Sequence, residues 1–287
     1  MTVFSRMKQN RTASLCLVAL AYLAAIAMGL FVYISLPLPW FLRLLFADIA
    51  ATATVFVFSL IYGNASTYDA YWSVQPIVIL VGYAVTTELT VARLLILIAV
   101  LFWGTRLTVN WGYTFQNLYW QDWRYTMLRE KSGAFYPVVS FLGIHLFPTL
   151  VVYLCVLPAA YIFLNDGTWN LGSIVFFVFS LLATLLQGIA DIEMHSYRRH
   201  KTEPFIRNGL WKYSRHPNYL GEILMWWAIG LFAISIFPAA LYLMTGAFVN
   251  TLMFLFVSIP MAERRQSRKD GFDAYKSATR MLLPIKK

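Results

Sequence analysis

Long apolar runs, interrupted by short polar stretches, set the pattern of this chain. A helix that crosses the hydrocarbon layer of a bilayer needs about 20 mostly apolar residues. Runs of that kind occupy residues 13–36, 40–62, 89–108, 138–163, 171–190, 219–237 and 239–260. A shorter run at 74–86 is a tilted, half-buried or fused segment. The predicted fold is therefore all-α: a polytopic membrane helix bundle with about 7–8 transmembrane helices. Residues 262–276 read as a charged, partly amphipathic surface helix anchored by Phe272 and Tyr275, and Leu282-Leu283-Pro284-Ile285 is expected to tuck back onto the protein.

Composition supports the pattern. The chain is 60% hydrophobic and 13% charged, about half the charge of a soluble domain. The net charge of +10 sits in short stretches beside the apolar runs, so its partners are anionic membrane lipids and not nucleic acid. Arg6, Lys8 and Arg11 flank the first run; Arg124, Arg129 and Lys131 fill the middle loop; Arg198, Arg199, Lys201, Arg207, Lys212 and Arg215 fill the next. The tail holds Arg264, Arg265, Arg268, Lys269, Lys276, Arg280, Lys286 and Lys287. The connections at 37–39, 165–170 and 238 carry no Lys or Arg. The positive-inside rule then places both termini and every basic loop in the cytoplasm, and eight spans is the number consistent with that. Cys16 and Cys155 each lie inside an apolar run and imply no disulfide framework. The apolar run after the basic start is long enough to span and shows no small-residue cleavage site, so it reads as a retained first helix.

Residues 208–222 are where a long basic loop turns back into an apolar run. Asn208-Gly209 is a turn pair, and Pro217 fits the first position of a helix. Free N–H groups and the positive end of a helix dipole suit an anion, and Lys212, Arg215 and His216 add positive charge there. The bland alternative is a juxtamembrane loop facing lipid phosphates.

The order Arg215-His216-Pro217-Asn218-Tyr219-x-Gly221-Glu222 resembles the signature of steroid 5-alpha-reductase-like membrane reductases, above all the bacterial branch with the DUF1295 domain. Further segments resemble the same branch. They are Asp69-x-x-Trp72, Trp103-Gly104-x-Arg106-Leu107, Asp122-x-Arg124-Tyr125-x-x-x-Arg129-Glu130, Ala190-Asp191, Glu263-Arg264, Gly271 to Tyr275, and Leu283-Pro284. The resemblance implies N-terminal transmembrane helices over 1–66 and a DUF1295/steroid 5-alpha-reductase-like domain over 67–287. It also implies a multi-pass protein of the bacterial inner membrane. A shorter Arg-His-Pro-x-Tyr-x-Gly version occurs in isoprenylcysteine carboxyl methyltransferases and related lipid methyltransferases.

Several residues invite chemistry. On a helix, Gln187, Asp191, His195 and Arg198 share one face. A carboxylate at the edge of an apolar span is expensive without a partner, although Arg198 and Arg199 alone could simply offset a helix dipole. Arg106 can snorkel to headgroups or pair inward with a phosphate. Asp122, Arg124, Arg129 and Glu130 can form a salt-bridged surface helix. Asp48 and Glu88 lie in or near apolar spans, where Arg43 or Arg93 can neutralise them. The resemblance implies that Arg106, Gln187, Asp191, His195, Arg198, Arg215, His216, Asn218, Tyr219, Glu222 and Glu263 bind the cofactor. It also implies that Asp69 and Tyr71 meet the substrate. A metal site is not expected: the chain has four histidines, His195 and His200 are five apart and do not face together on a helix, and His145 reads as a satisfied core histidine.

The cofactor choice lies between NADPH and S-adenosylmethionine. Arg198, Arg199, Arg207, Lys212 and Arg215 suit phosphates, which arginine grips in a planar fork. No Gly-x-Gly-x-x-Gly motif is present, so the cofactor would sit among membrane helices. As a reductase the protein would deliver hydride to an activated C=C bond in a hydrophobic steroid-, prenyl- or lipid-like substrate. A lipid methyltransferase and a non-catalytic lipid-binding protein are the alternatives.

Overall fold

The computed structural model describes residues 3–201 and 203–284; Ile285, Lys286 and Lys287, which the sequence reading placed in the tail, lie outside the described residues. The chain is helical, and no β-strand occurs among the described residues. In order, the helices are α1 (Val3–Gln9), α2 (Arg11–Ser35), α3 (Trp40–Tyr62), α4 (Tyr71–Ala84), α5 (Val91–Thr114), α6 (Trp123–Ser132) and α7 (Tyr136–Val139). They continue with α8 (Phe147–Leu164), α9 (Leu171–His200), α10 (Pro217–Ile236), α11 (Thr245–Met253), α12 (Ile259–Gln266) and α13 (Phe272–Ala278). Stretches of π-helix, Ser140–Leu146 and Phe254–Ser258, join α7 to α8 and α11 to α12.

Among the described residues seven helical stretches are long and apolar enough to cross a membrane: Arg11–Ser35, Trp40–Tyr62, Val91–Thr114, Trp123–Leu164, Leu171–His200, Pro217–Ile236 and Leu241–Gln266. This is an integral multi-pass membrane protein. The short apolar run at 74–86 becomes α4, whose 14 residues contain Pro76. Such a helix rises only about 21 Å at 1.5 Å per residue, too little for a ~30 Å core. The middle basic stretch is helical: Asp122 caps α6 by accepting from Arg124 N at 2.9 Å. The helix expected over 262–276 is broken in two, because Gly271 adopts a left-handed φ of 79° between α12 and α13. A left-handed residue ends a helix, and glycine does so at least cost.

The chain divides into two compact units. The first comprises the residues up to Gly82 and Gly104–Tyr153. In it α2 packs along α3, where Gly29 lets the backbone approach Ala47 and Ala51. Ala21, Ala25, Ala51 and Val55 fill the seam, with Tyr22, Tyr62, Tyr68 and Tyr71 beside them. The second comprises Tyr83–Trp103 and the described residues from Leu154 onward. Its spine is the antiparallel pair α9 and α10. Asn170 and Ser173 form a reciprocal capping box at the start of α9, and Asn170 Nδ2 also donates to Ser235 O at 2.5 Å, near the end of α10. Gly221 is where the two backbones come closest: a Cβ there would lie 2.7 Å from Ala183 O and 2.8 Å from Gln187 N. Met281 and Leu282 pack against the Ile223, Phe254 and Ile259 cluster, so the tail folds back as far as Leu282, while Leu283 is exposed.

Candidate functional site

The end of α9, the loop 201–216, the start of α10 and the tail meet at one end of the second unit. Loop geometry begins with Gly209, whose φ of 59° suits glycine and whose Cα hydrogens face the Glu193 carboxylate. Glu193 accepts from Leu210 N through both oxygens, at 3.2 and 2.9 Å. Trp211 Nε1 then donates to Ala190 O at 3.2 Å. These bonds fix the loop against α9 before it reaches Ser214.

Arg215 is buried and fully engaged. Its Nε and Nη2 donate to Glu263 Oε1 at 2.8 and 2.7 Å, and Nη1 donates to the carbonyls of Lys276 and Thr279. Its backbone N–H donates to Arg280 O at 3.0 Å. Lys276 Nζ meets the other Glu263 oxygen at 2.9 Å, and His216 Nε2 lies 3.3 Å from Oε1. The Tyr275 hydroxyl donates to Trp211 O, and Phe205 packs on Phe272 and Tyr275. Arg215, His216 and Glu263, three of the predicted cofactor residues, thus form one ionic knot that ties the tail to the start of α10. His216 stacks parallel on Tyr219 at 5.2 Å, and Tyr219 packs on Phe254.

Further along α10 the Glu222 carboxylate is 2% exposed. Trp103 Nε1 and Gln187 Nε2 donate to its Oε2 at 2.8 and 2.7 Å, and Trp226 Nε1 donates to Oε1 at 2.8 Å. The Trp103 and Trp226 rings meet edge-on at 4.7 Å. A carboxylate can face only the amide nitrogen of Gln187, so the orientation of that amide is fixed. Its Oε1 is then an acceptor in a residue only 5% exposed, without a hydrogen-bond partner. Asn218 Oδ1, one turn before Glu222, is likewise buried without one. Asp191 and His195 are half-buried, lie one turn apart on α9, and interact electrostatically with each other; His195 also feels Arg198. A surface hollow of about 310 Å³ lies between Arg207 and Lys212 on one side and Ala274, Tyr275, Ala278 and Thr279 on the other. None of the predicted site residues lines it.

The remaining predicted residues belong to the first unit. Arg106 keeps Nε and Nη2 buried rather than displayed to solvent. Asp69 is half-buried and accepts from the Tyr125 hydroxyl at 2.5 Å; burial raises its carboxyl to about 6 against the pull of Arg124. Tyr71 is buried, with Thr52 and Asp48 beside it. Around it runs a polar network that sequence reasoning missed. Gln75 Nε2 donates to Asp48, Thr52 Oγ1 and Tyr68 OH each meet Thr149 Oγ1 at 2.9 and 2.8 Å, and His145 bonds Ser59 at 3.0 Å. Asp48 therefore takes an amide partner, not the expected Arg43, whose guanidinium lies over the Tyr33 ring. Arg93 bonds Asp166 at 3.2 Å and the backbone carbonyl of Glu88. Arg124 pairs with Asp122 at 2.8 Å, as a surface pair would. Among the described residues no group of three or more His, Cys, Asp or Glu could hold a metal.

The model of one family, described as a protein of unknown function (DUF1295), matches residues 55–279. The chain belongs to the DUF1295 family. It is 28% identical to an uncharacterized protein of Schizosaccharomyces pombe, over 59% of this chain and 57% of that one. The chain thus spans little more than half the length of that relative. No solved structure matches it. The family match covers α9, the knot and Glu222.

Sequence reasoning gave Trp103 and Trp226 no site role in the second unit, although Trp103 stands in the Trp103-Gly104-x-Arg106-Leu107 segment. Trp226 was findable, since it stands four residues after Glu222 on the same helix face. The contact of Trp103 with Glu222 spans 119 positions and has no local signal.

Proposed function

We propose that this DUF1295 protein is a membrane-embedded, NADPH-dependent reductase of an activated C=C bond in a hydrophobic steroid-, prenyl- or lipid-like substrate. The observation that carries the reading is the acceptor set on α9 and α10: the Glu222 carboxylate with the unmatched Gln187 Oε1 and Asn218 Oδ1. Buried acceptors in a span are costly until a donor reaches them. A carboxamide and ribose hydroxyls are such donors. The basic end of the same unit, with Arg198, Arg199, Lys201 and Lys212, suits the phosphates of the same ligand. The steroid 5-alpha-reductase-like signature over 215–222 points the same way.

When bound, NADPH supplies the hydride. Gln187, Asn218 and Glu222 would hold its donor-bearing groups, with Asp191 and His195 on the same face of α9. Trp103 and Trp226 keep the Glu222 carboxylate in one orientation. Arg215, His216 and Glu263 serve by fixing the loop and the stacked Tyr219, because the Arg215 fork is already spent on Glu263. The resemblance assigns the substrate side to Asp69 and Tyr71 of the first unit, where Tyr71 has Asp48 and Thr52 beside it. By the positive-inside rule the basic end of the second unit faces the cytoplasm, in a bacterial inner membrane.

The same acceptors also suit the ammonium group of S-adenosylmethionine, so a methyltransferase is the second reading. Thermal unfolding of the purified protein with each cofactor separates the two. A ligand at 100 times its Kd stabilises by about 2.7 kcal/mol. Stabilisation by NADPH and not by S-adenosylmethionine is the expected result; the reverse, or neither, overturns the reading.

A further inference from the structure

An acid inside a membrane span of the first unit is left without a cation among the described residues. Asp48 is 4% exposed and stands about 12 Å along α3, at about 1.5 Å per residue. Its partner is the Gln75 amide, and Arg43, on the same helix, lies over the Tyr33 ring instead. We infer that Asp48 and Gln75 form a recognition site for the protonated amine of a hydrophobic ligand.

Counting protons shows what the pair lacks. A carboxylate faces the amide nitrogen of Gln75, so the amide is fixed and its Oε1 is an acceptor. That oxygen is buried without a hydrogen-bond partner, in a residue 5% exposed. The neighbouring hydroxyls have spent their protons. Thr149 Oγ1 donates to His145 O at 2.9 Å, so Thr52 and Tyr68 must each donate to Thr149, at 2.9 and 2.8 Å. Tyr71, one turn before Gln75 on α4, bonds Thr52 and is the donor there, since the Thr52 proton is taken. Tyr22 donates to Thr67 O at 2.8 Å, and Tyr153 to Phe41 O at 2.7 Å. Two acceptor groups, one of them negative, are thus left side by side in a span, where each is costly until a donor arrives.

A hydroxyl brings one proton and no charge, enough for one acceptor. An ammonium brings three N–H donors and the missing positive charge. The Tyr71 ring meets Tyr22 edge-on at 5.6 Å and Tyr68 at 5.5 Å, and aromatic faces also attract a cation. A site within a span suits a ligand whose remaining surface is apolar. The inference rests on the reading above in taking this amine as part of the substrate; the binding itself needs no cofactor.

The test uses the full chain in dodecyl maltoside micelles at neutral pH, without cofactor. Thermal unfolding is followed as dodecylamine, dodecanol or dodecyltrimethylammonium is added. The three share one chain and differ in donors and charge. Dodecylamine should raise the unfolding temperature saturably, while the alcohol, which is uncharged, and the trimethylammonium, which has no N–H, should not. Gln75→Leu should weaken the amine response about tenfold, the worth of one hydrogen bond to a charged group. Asp48→Asn, which keeps the side-chain shape, should abolish it. Unfolding of each variant without ligand reports whether it folds, and Gln75→Leu decides alone where Asp48→Asn does not. Wild type that ignores dodecylamine or answers either control equally, or a folded variant that responds as wild type does, overturns the inference. Such a failure leaves the comparison of NADPH with S-adenosylmethionine untouched, because no cofactor enters this assay.

Discussion

Replacing Glu222 by Gln keeps the shape of the side chain and changes only its hydrogen-bonding. The native carboxylate accepts three bonds, two at Oε2 from Trp103 and Gln187 and one at Oε1 from Trp226. The best placement of a glutamine amide puts its oxygen at the Oε2 position and keeps two donors. Its NH₂ then faces the Trp226 N–H, donor against donor. Leaving a buried donor unmatched costs about 1–3 kcal/mol. The two surviving bonds also lose their ionic character, a further fraction of a kcal/mol each on the scale of hydrogen bonds between membrane helices. Glu222→Gln should therefore destabilise by about 2–4 kcal/mol. Adding Trp226→Phe removes the clashing N–H and leaves the ring in place against Trp103, so the double variant should regain about 1–2 kcal/mol relative to Glu222→Gln. Trp226→Phe alone should cost less, because the carboxylate keeps two donors. The assay is denaturant-induced unfolding in mixed micelles for wild type, both single variants and the double variant. Strictly additive effects, or a Glu222→Gln variant as stable as wild type, would refute the account of this carboxylate as one tuned to three N–H donors.

Gly221→Val should loosen the α9–α10 seam, since its Cβ would press on Ala183 O and Gln187; about 3 kcal/mol of lost stability is expected in the same unfolding assay. Arg215→Gln should free the tail without unfolding the membrane helices: amide exchange over 271–280 should accelerate while α9 and α10 stay protected. Asp69 titrates near 6 in the folded chain because burial disfavours its anion. Its folded pKa lies above the unfolded value, so the unfolded chain binds fewer protons between about pH 4 and 6, and this group's contribution is full below that window and lost as pH rises through it. The stability of Asp69→Asn, compared with wild type across that window, should lack this part of the slope.

Helix number and membrane character were legible in the sequence, because burying apolar runs in lipid constrains every span locally. So were the turn at Gly209, the helix start at Pro217 and the face shared by Gln187 and Asp191, each set by residues a few positions apart. The fate of the charges was not. Arg215 looks like a phosphate ligand until Glu263 and Lys276, 48 and 61 positions away, are seen to occupy it. Asp48 finds Gln75 across the first unit, and Glu222 finds Trp103. Beyond the break at Gly271, Phe272 and Tyr275 find Phe205, more than 60 positions back. Sequence alone determined which segments must be helices, since that follows from local backbone satisfaction and apolar length. Only the tertiary structure decided which polar group meets which, because the cost of burying each one is settled by partners far away along the chain.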